Sequence, residues 1–471
     1  MNQLANLSQG KSKMSFPVWL VMLVDVFLVN AGFALAFLFR FGWQVPEENL
    51  QAYLQILPYI SLITLAIFAG VGLYEVKRSA YSHVARLIAV GVALTFMTTM
   101  AMAFWQREFA FPRSVFVVAP LFQLAALNLW RSLTLRLERK WHGRKRLLIV
   151  GADQDVKRLL PKVLSLPTGW VDVACVYPPE AMDEIHHALL SVDAVLLTEE
   201  VPPAGRREIL IKCFELGCEV FVIPDLYEVL LKKSLTNKIG DTPIIEVPEI
   251  FVPPLALFIK HSLDFVFALI GLIVSLPVFL VIGLFAKVTF SGPVFYTQER
   301  VGKEGKIFTV FKFRTMVVDA EKSDGPVLAC ENDPRITPMG RFLRRTRLDE
   351  LPQLYNVLRG EMSLVGPRPE RPEFVRQFLE KIPEYRHRYL VRPGITGLAQ
   401  VRSQYSTTVE DKLRYDLNYI VNYSLLLDLR ILMETVPTVF SKEAAAGCRE
   451  ISETDDIFRR FSNADSKTMK L

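Results

Sequence analysis

Four long apolar stretches in the first third of the chain constrain its fold more than any other feature. They run over Phe16–Phe39, Leu54–Leu73, Leu87–Trp105 and Ser114–Trp130. A helix needs about 20 apolar residues to cross the roughly 30 Å hydrocarbon core of a bilayer, a length that most of the stretches approach. The first stretch is also longer than the apolar region of a signal peptide. We therefore predict a four-helix transmembrane bundle over residues 1–140.

Basic residues are unevenly distributed around these stretches. Clusters precede the first, separate the second from the third and follow the fourth: Lys11, Lys13, Lys77, Arg78, Arg86, Arg136, Arg139, Lys140, Arg144, Lys145 and Arg146. The other two connections hold only Arg40, Arg107 and Arg113. Because Lys and Arg accumulate in cytoplasmic loops, both ends of the bundle are expected in the cytoplasm.

The composition fits a membrane protein that also has polar domains. Apolar residues make up 51% and charged residues 22% of the 471 residues, so the apolar residues must be concentrated in segments. The net charge of +6 suits a negatively charged membrane surface or phosphate ligands, and we expect no nucleic-acid partner. The five cysteines form no C-x-x-C pair, which argues against a disulfide framework or a zinc site.

Residues 141–252 are predicted to form a Rossmann-like α/β domain. RLLIVGA is typical of a strand that ends at Gly151, and VDVACVY, DAVLLT and CEVFVIP are typical of further buried strands alternating with helices. A strand–glycine–helix turn can bind phosphate, but GADQDV lacks the second and third glycines of G-x-G-x-x-G. The domain could bind a nucleotide cofactor, or it could be a structural or regulatory module.

A fifth apolar run, Ser262–Ala286, begins shortly after Lys260 and is interrupted only by Asp264 and Pro277. The run is long enough to span a bilayer. However, the segment that follows is rich in Lys and Arg, and Pro277 divides the run into arms too short to cross. A helix broken at the proline that enters and leaves on the same face satisfies both observations. We expect this re-entrant path over residues 260–287, with a true span as the alternative.

The densest charged motif is RFLRRTRLDELPQL, in which four arginines precede the adjacent Asp349 and Glu350. Successive helix positions are about 100° apart, so the two carboxylates cannot point in the same direction. One could attack a phosphorus atom while the other holds a metal ion. The alternative is a charged helix with i,i+4 ion pairs such as Arg345–Asp349.

Cations on rigid turns favour a binding site around the two carboxylates. FKFRTM places Lys312 and Arg314 on one side of an apparent strand. The GPRP turn presents Arg368, and the loop VRPGITGLAQV carries Arg392. Cations arranged around one acidic pair indicate a pocket for a diphosphate.

Residues from Lys260 to about Phe440 resemble the catalytic domain of the bacterial sugar transferase family, the polyprenol-phosphate phosphoglycosyl transferases with a single re-entrant membrane helix. The motifs that carry the resemblance are KHSLD…SLP, GPVFYTQERVGKEGKIFTVFKFRTM, LDELPQLYNVLRGEMSLVGPRP and RPGITGLAQV. The preceding helices and the Rossmann-like domain resemble the larger members. The resemblance implies an α/β catalytic domain over residues 253–471, in a multi-pass protein of the bacterial inner membrane whose soluble domains face the cytoplasm.

The resemblance also implies an enzyme that transfers a sugar 1-phosphate from a UDP-sugar to undecaprenyl phosphate, the first membrane step of exopolysaccharide, capsule or O-antigen assembly. Asp349 would attack the sugar-linked phosphate, release UMP and hold the sugar phosphate until the lipid attacks. Glu350 would ligate Mg²⁺. Lys312, Arg344 and Arg368 would bind the phosphate groups. Membrane lipids would surround the re-entrant helix, and the chain could form a homodimer.

Departures from the family pattern leave the donor sugar open. They are His261, Leu276 and the loop Arg402–Tyr405. Two other functions also stay open. One is a membrane-anchored nucleotide-sugar epimerase or dehydratase, which would need the glycine-rich loop that is incomplete at Gly151. The other is a membrane scaffold that has lost catalysis, against which the presence of Asp349 counts.

Overall fold

The structure is a computed structural model of the whole chain, and it describes residues 16–75, 81–105, 112–142, 144–164, 171–231, 235–239, 242–246, 254–289, 292–317, 333, 335–403 and 407–439. The chain divides into two compact units. Among the described residues, the first unit extends to Asp225 and the second begins at Leu226.

The first unit begins with four long helices, each of which overlaps one of the predicted apolar stretches. They are α1 (Val18–Phe41), α2 (Glu47–Gly70), α3 (Tyr81–Trp105) and α4 (Arg113–His142). All four are long and apolar enough to cross a membrane, as the sequence predicts. Lys11, Lys13, Lys77, Arg78 and Arg107, on which part of the predicted orientation depends, lie outside the described residues.

Polar side chains join these helices at a few buried positions. Asp25 on α1 is fully buried, and its Oδ2 lies 2.5 Å from Nη2 of Arg131 on α4. On the same pair of helices, Gln123 Nε2 donates to the main-chain oxygen of Val29 at 3.0 Å. A buried charge is costly unless it is paired, so Asp25 has a structural role in holding α1 against α4.

A parallel four-stranded sheet follows, with helices between its strands. The elements are β1 (Lys145–Val150), α5 (Asp153–Leu164), β2 (Val171–Tyr177), α6 (Met182–Leu189), β3 (Ala194–Leu197), α7 (Pro203–Leu216) and β4 (Glu219–Val222). The strand order is β2-β1-β3-β4, and every neighbouring pair is parallel. This arrangement confirms the predicted α/β region with a parallel sheet.

Gly151 at the end of β1 has a packing role. A Cβ atom on this glycine would lie 2.3 Å from Cγ2 of Thr198, which follows β3, so no larger residue fits. The close approach of the two strand ends therefore accounts for the single glycine without a bound phosphate.

The second unit opens with α8 (Leu226–Leu231), the antiparallel hairpin of β5 (Leu235–Ile239) and β6 (Thr242–Glu246), and the long helix α9 (Pro254–Thr289). With 36 residues, α9 is the fifth helix of the described chain that is long and apolar enough to cross a membrane. It runs through Pro277 without ending there, which differs from the expected division into two arms. A straight helix of that length would rise about 54 Å, well beyond a bilayer core.

The remaining elements form an α/β domain around two small sheets. They are β7 (Phe295–Val301), β8 (Ile307–Phe313), α10 (Pro338–Thr346), α11 (Gln353–Leu358), β9 (Ser363–Val365), α12 (Pro372–Lys381), β10 (Gly394–Thr396), α13 (Leu398–Arg402), α14 (Val409–Val421) and α15 (Leu425–Val439). β7 pairs antiparallel with β8, and β9 pairs parallel with β10. The core includes Val365 of β9, Leu417 and Tyr419 of α14, and Ile431 of α15.

The two Pro/Gly loops of this domain are packed backbone against backbone. Gly366 N donates to Thr396 O, and Gly394 N donates to Pro367 O, both at 2.9 Å. A Cβ atom on Gly394 would lie 2.1 Å from the main-chain nitrogen of Gly366. The GPRP and RPGITG glycines are therefore required because the two loops touch each other.

Candidate active site

A backbone reversal at Arg347 places the two carboxylates. Helix α10 ends at Thr346, and Arg347 adopts a left-handed conformation with φ 56° that is uncommon for a residue with a side chain. Asp349 and Glu350 then lie in a short 3₁₀ helix, Leu348–Glu350, and both are buried. Because the helix is broken, Arg345 makes no ion pair with Asp349, and the i,i+4 alternative does not apply.

Glu350 is held by two cations from different parts of the chain. Its Oε1 lies 2.9 Å from Nζ of Lys312 on β8 and 2.8 Å from Nη2 of Arg368 in the GPRP loop. Its Oε2 lies 4.0 Å from Nη1 of Arg347. Burial pushes the pKa of Glu350 upward, but the charges of Arg368, Lys312 and Arg347 outweigh it and hold the pKa well below its ordinary value. Glu350 is therefore ionised in this site.

Asp349 has the opposite environment. Its Oδ1 is buried and has no hydrogen-bond partner among the described residues. Burial, followed by the neighbouring charge of Glu350, raises the pKa of Asp349 to about 6, while Lys312, Arg344 and Arg347 pull it down. Because no hydrogen bond holds this oxygen in the described part of the chain, it stays available to react.

A buried amide fixes the strand that carries Lys312. Asn356 on α11 is fully buried; its Oδ1 accepts from Phe311 N at 3.2 Å, and its Nδ2 donates to Thr309 O at 2.7 Å. These bonds tie β8 to the helix that follows the carboxylates. They set the distance between Lys312 and Glu350.

Arg344 is fixed in a similar way through Thr315. Its Nε donates to Thr315 Oγ1 at 2.9 Å. Thr337, which caps α10, also donates through its hydroxyl to Thr315 O at 3.1 Å. A Cβ atom on Gly340 would lie 1.9 Å from Thr315 O. The glycine therefore allows α10 to pack on the segment after β8 and to place Arg344 near Asp349.

A buried ion pair supports the loop that carries Arg368. Arg388 Nη2 lies 2.7 Å from Asp416 Oδ2 and 2.9 Å from the main-chain oxygen of Arg368. Burial raises the pKa of Asp416 to about 6, although the Arg388 charge opposes the rise. On the other side, Arg300 Nη1 donates to Pro369 O at 3.1 Å. The GPRP loop is thus bound from two directions.

The structure brings together Asp349, Glu350, Lys312, Arg344 and Arg368. Arg347, Asn356, Arg388 and Asp416 were not among the predicted site residues, and only Arg347 has a local signal in the arginine-rich motif.

The other predicted site residues lie elsewhere. Arg314 follows the end of β8 and makes no ion pair with either carboxylate. Arg392 lines a separate cavity together with Lys260. Asp264 accepts from Ser363 Oγ at 2.7 Å and from Leu364 N at 3.2 Å.

Lys260 belongs to the same polar contact, since its Nζ lies 2.7 Å from Asp428 Oδ2 and 3.7 Å from Asp264 Oδ2. Lys260 and Asp264 therefore anchor the start of α9 to the domain. In the loop where the sequence departs from the family pattern, Arg402 Nη2 lies 2.7 Å from Glu434 Oε1, whereas Gln404 and Tyr405 lie outside the described residues.

The carboxylate pair could hold a divalent cation only with help from a ligand. The described residues contain no group of three or more metal-binding side chains. Mg²⁺ is commonly bound by one or two carboxylates together with substrate phosphates and water. Glu350 Oε1 is occupied by two cations, which leaves Glu350 Oε2 and the unpartnered Asp349 Oδ1 as donors. The residues present fit a Mg²⁺ ion that arrives with a diphosphate.

Comparison with known proteins gives a consistent match for this region. Residues 255–442 match the bacterial sugar transferase family. The chain is 38% identical over 233 residues to the UDP-N-acetylgalactosamine-undecaprenyl-phosphate N-acetylgalactosaminephosphotransferase of Aeromonas hydrophila, covering 48% of this chain and 55% of that protein. It is 39% identical over 233 residues to the UDP-glucose:undecaprenyl-phosphate glucose-1-phosphate transferase of Klebsiella pneumoniae, covering 48% and 50%.

The matched region spans about half the length of these two relatives. A shorter relative is covered almost completely. The exopolysaccharide production protein PSS of Rhizobium leguminosarum bv. phaseoli is 41% identical over 188 residues, which make up 38% of this chain and 94% of that protein. The chain therefore belongs to the bacterial sugar transferase family.

Proposed function

We propose that this protein transfers a sugar 1-phosphate from a UDP-sugar to undecaprenyl phosphate, through a covalent intermediate on Asp349. The product would be undecaprenyl-diphosphate-sugar, the first lipid-linked intermediate in the assembly of an exopolysaccharide, capsule or O-antigen. The names of the Aeromonas and Klebsiella relatives include both a UDP-sugar and undecaprenyl phosphate, which supports this choice of donor and acceptor.

The observation that carries the proposal is the contrast between the two adjacent carboxylates. Glu350 is fixed and neutralised by Lys312 and Arg368, whereas Asp349 Oδ1 is buried without a partner. A carboxylate oxygen that accepts no hydrogen bond has a less stabilised ground state and is a better nucleophile, whereas a group that binds phosphate must be held in place. The pair therefore suits a division of roles between attack and charge stabilisation.

In the first half-reaction, an Asp349 carboxylate oxygen attacks the phosphorus that carries the sugar. The new bond joins Asp349 to that phosphorus, and the bond to the bridging oxygen of the diphosphate breaks, so that UMP leaves with that oxygen. Lys312, Arg344 and Arg368 stabilise the negative charge that develops on the phosphate oxygens. No proton has to move, because the nucleophile is already ionised and UMP leaves as an anion.

In the second half-reaction, a phosphate oxygen of undecaprenyl phosphate attacks the aspartyl phosphate. The bond between Asp349 and phosphorus breaks, and the carboxylate is regenerated. The same cations act again because the charge develops on the same phosphate oxygens. Mg²⁺, which Glu350 would hold together with phosphate oxygens, would supply further charge neutralisation.

We also propose how the protein meets both substrates. The four N-terminal helices would form a transmembrane bundle in the inner membrane, and α9 would enter and leave the bilayer on the cytoplasmic face. The exposed apolar side chains of α9 support burial in lipid, since Phe265, Ile273 and Leu280 are all exposed in the isolated chain. A water-soluble donor and a lipid acceptor could then reach one site.

Mass spectrometry of the intact protein tests the proposal. The full chain in nanodiscs is incubated with a panel of UDP-sugars without any lipid acceptor. With the correct donor we expect about one UMP per protein and a mass increase of one sugar phosphate, both lost in Asp349→Asn and both retained in the exposed control Glu384→Gln. An adduct on the Asn variant, or UMP release that requires the lipid, would reject the covalent mechanism.

A further inference from the structure

A second cationic cavity lies at the beginning of α9. It has a volume of about 180 Å³, and its lining includes Lys260, His261, Lys303, Arg392 and Tyr423. None of Asp349, Glu350, Lys312 or Arg344 contributes to it. Of the described residues that line the cavity, none is acidic. The cavity is therefore distinct from the carboxylate site and favours an anionic ligand.

Two polar groups of this cavity lack partners in the described part of the chain. Arg392 is half-buried and makes no hydrogen bond or ion pair there, although the charge of Asp264 acts on it. The hydroxyl of Tyr423 is buried and also has no hydrogen-bond partner. A buried donor is normally satisfied, so the unmatched Tyr423 hydroxyl points to a missing acceptor, and the half-buried Arg392 lines the same cavity. A planar guanidinium is well suited to a phosphate group.

Among the described residues, Lys303 is held only by a long ion pair. Its Nζ lies 3.7 Å from Glu304 Oε1, but Glu304 also forms a closer ion pair, 2.8 Å, with the exposed Lys306. Lys303 is thus weakly held by its neighbour and can turn toward an anion in the cavity. Lys260, by contrast, is committed to Asp428 at 2.7 Å.

Exposed apolar side chains lie next to these cations. Leu255 and Phe258, on the first turns of α9, are 69% and 70% exposed. Lys260 binds Asp428, and the residues flanking that aspartate on α15, Leu426 and Leu429, are 77% and 54% exposed. Large exposed apolar residues beside a cationic cavity are typical of a surface that contacts lipid head groups and the upper part of their chains.

We propose that this cavity binds the phosphate of an anionic membrane phospholipid, with Arg392, Tyr423 and Lys303 as its donors. The lipid chains would lie against the exposed apolar residues at the starts of α9 and α15. This inference does not depend on the proposed transfer reaction, because its test measures binding. It assigns Arg392 a role at the membrane surface instead of one at the reacting diphosphate.

The test uses the full chain in a neutral detergent and follows the thermal unfolding midpoint. A ligand that binds the folded state raises the midpoint in a saturable way. Dihexanoyl phosphatidylglycerol is titrated against its zwitterionic analogue dihexanoyl phosphatidylcholine, against inorganic phosphate, and against farnesyl phosphate. We expect a saturable rise of the unfolding midpoint with phosphatidylglycerol and weaker effects from the other three compounds. For Arg392→Gln, the phosphatidylglycerol concentration at half-saturation should be at least ~10-fold higher than for the wild type.

Matched variants make the result specific. Lys306→Gln removes a nearby exposed lysine outside the cavity and should leave the titration unchanged. Lys303→Gln should weaken the binding of phosphatidylglycerol several-fold. This variant serves as the test if Arg392→Gln fails to fold. Equal titrations of the wild type and the cavity variants would overturn the proposal, as would an equal response to phosphatidylcholine. Tighter binding of inorganic phosphate than of phosphatidylglycerol would identify the ligand as a free phosphate. Tighter binding of farnesyl phosphate would identify it as the lipid acceptor.

Discussion

The main-chain oxygen of Arg368 accepts a 2.9 Å hydrogen bond from Nη2 of Arg388, a residue that is itself paired with Asp416. Arg388 and Asp416 are both buried, so the bond is shielded from water. One guanidinium in the domain core therefore fixes the backbone of the loop that brings another guanidinium to Glu350.

This relationship predicts a strong coupling between Arg388 and Asp416. Arg388→Met leaves the Asp416 carboxylate buried without its partner, which costs about 3–5 kcal/mol in other buried pairs. The double variant Arg388→Met/Asp416→Leu removes both charges and should be more stable than the sum of the two single variants predicts. Thermal unfolding midpoints of the two single variants and the double variant measure the coupling. Additive losses would show that the ion pair does not hold the loop.

The rate of the first half-reaction should depend on the ionisation of Asp349. Burial and the charge of Glu350 raise the pKa of Asp349 to about 6. Only the deprotonated carboxylate attacks, so single-turnover UMP release should rise with pH between about 5 and 7 and then level off. Donor binding to Asp349→Asn over the same pH range controls for changes in affinity. A rate that stays constant down to about pH 5 would contradict this assignment.

Glu350→Gln should change the metal dependence as well as the rate. The amide keeps the shape of the side chain but removes the charge that Lys312 and Arg368 neutralise. We expect the Mg²⁺ concentration at half-maximal rate to rise at least ~10-fold, measured by UMP release. Glu384 is exposed, so Glu384→Gln should show the same Mg²⁺ dependence as the wild type. If Glu350→Gln lowered the rate with an unchanged metal titration, the ligand role would be excluded.

Thiol labelling can decide the path of α9. Single cysteines replace the exposed Lys306 and the surface residue Glu215 in a background without native cysteines. The re-entrant path predicts that both are protected from an impermeant thiol reagent in intact cells and labelled after lysis. Labelling of Lys306→Cys alone in intact cells would mean that α9 spans the membrane.

The long helices and the carboxylate pair could be predicted because their signals are local. Apolar length alone marks α1 to α4 and α9, and Asp349 and Glu350 stand inside one dense charged motif. The α/β sheet was also accessible, since its short apolar strands alternate with amphipathic helices. Such patterns need no knowledge of which distant residues meet.

The residues that support the site could not be predicted, because their contacts join distant parts of the chain. Asn356 bonds to Thr309 and Phe311 across 47 and 45 positions, and Arg388 reaches Asp416 across 28. Nothing in the local pattern distinguishes these polar residues from solvated ones. From the sequence, the two Pro/Gly loops are expected to present arginines rigidly, whereas in the structure the contact of Gly366 with Gly394 excludes larger residues.

Pro277 shows a different limit of sequence reasoning. A proline removes one hydrogen bond from a helix, and this was expected to divide the apolar run. The structure instead keeps α9 helical on both sides of the proline. Proline position therefore indicates where a helix can bend, and the length of α9 indicates that a bend is needed if both ends face the same compartment.

The contact of Asp264 with β9 affects the height of the active site above the membrane. Asp264 binds Ser363 and Leu364 at 2.7 and 3.2 Å, and β9 runs directly into the loop of Arg368. If α9 lies in the lipid as proposed, these bonds tie it to the loop whose arginine contacts Glu350. In that arrangement the height of Asp349 above the acyl chains would be set by the protein itself and not by the thickness of the surrounding bilayer.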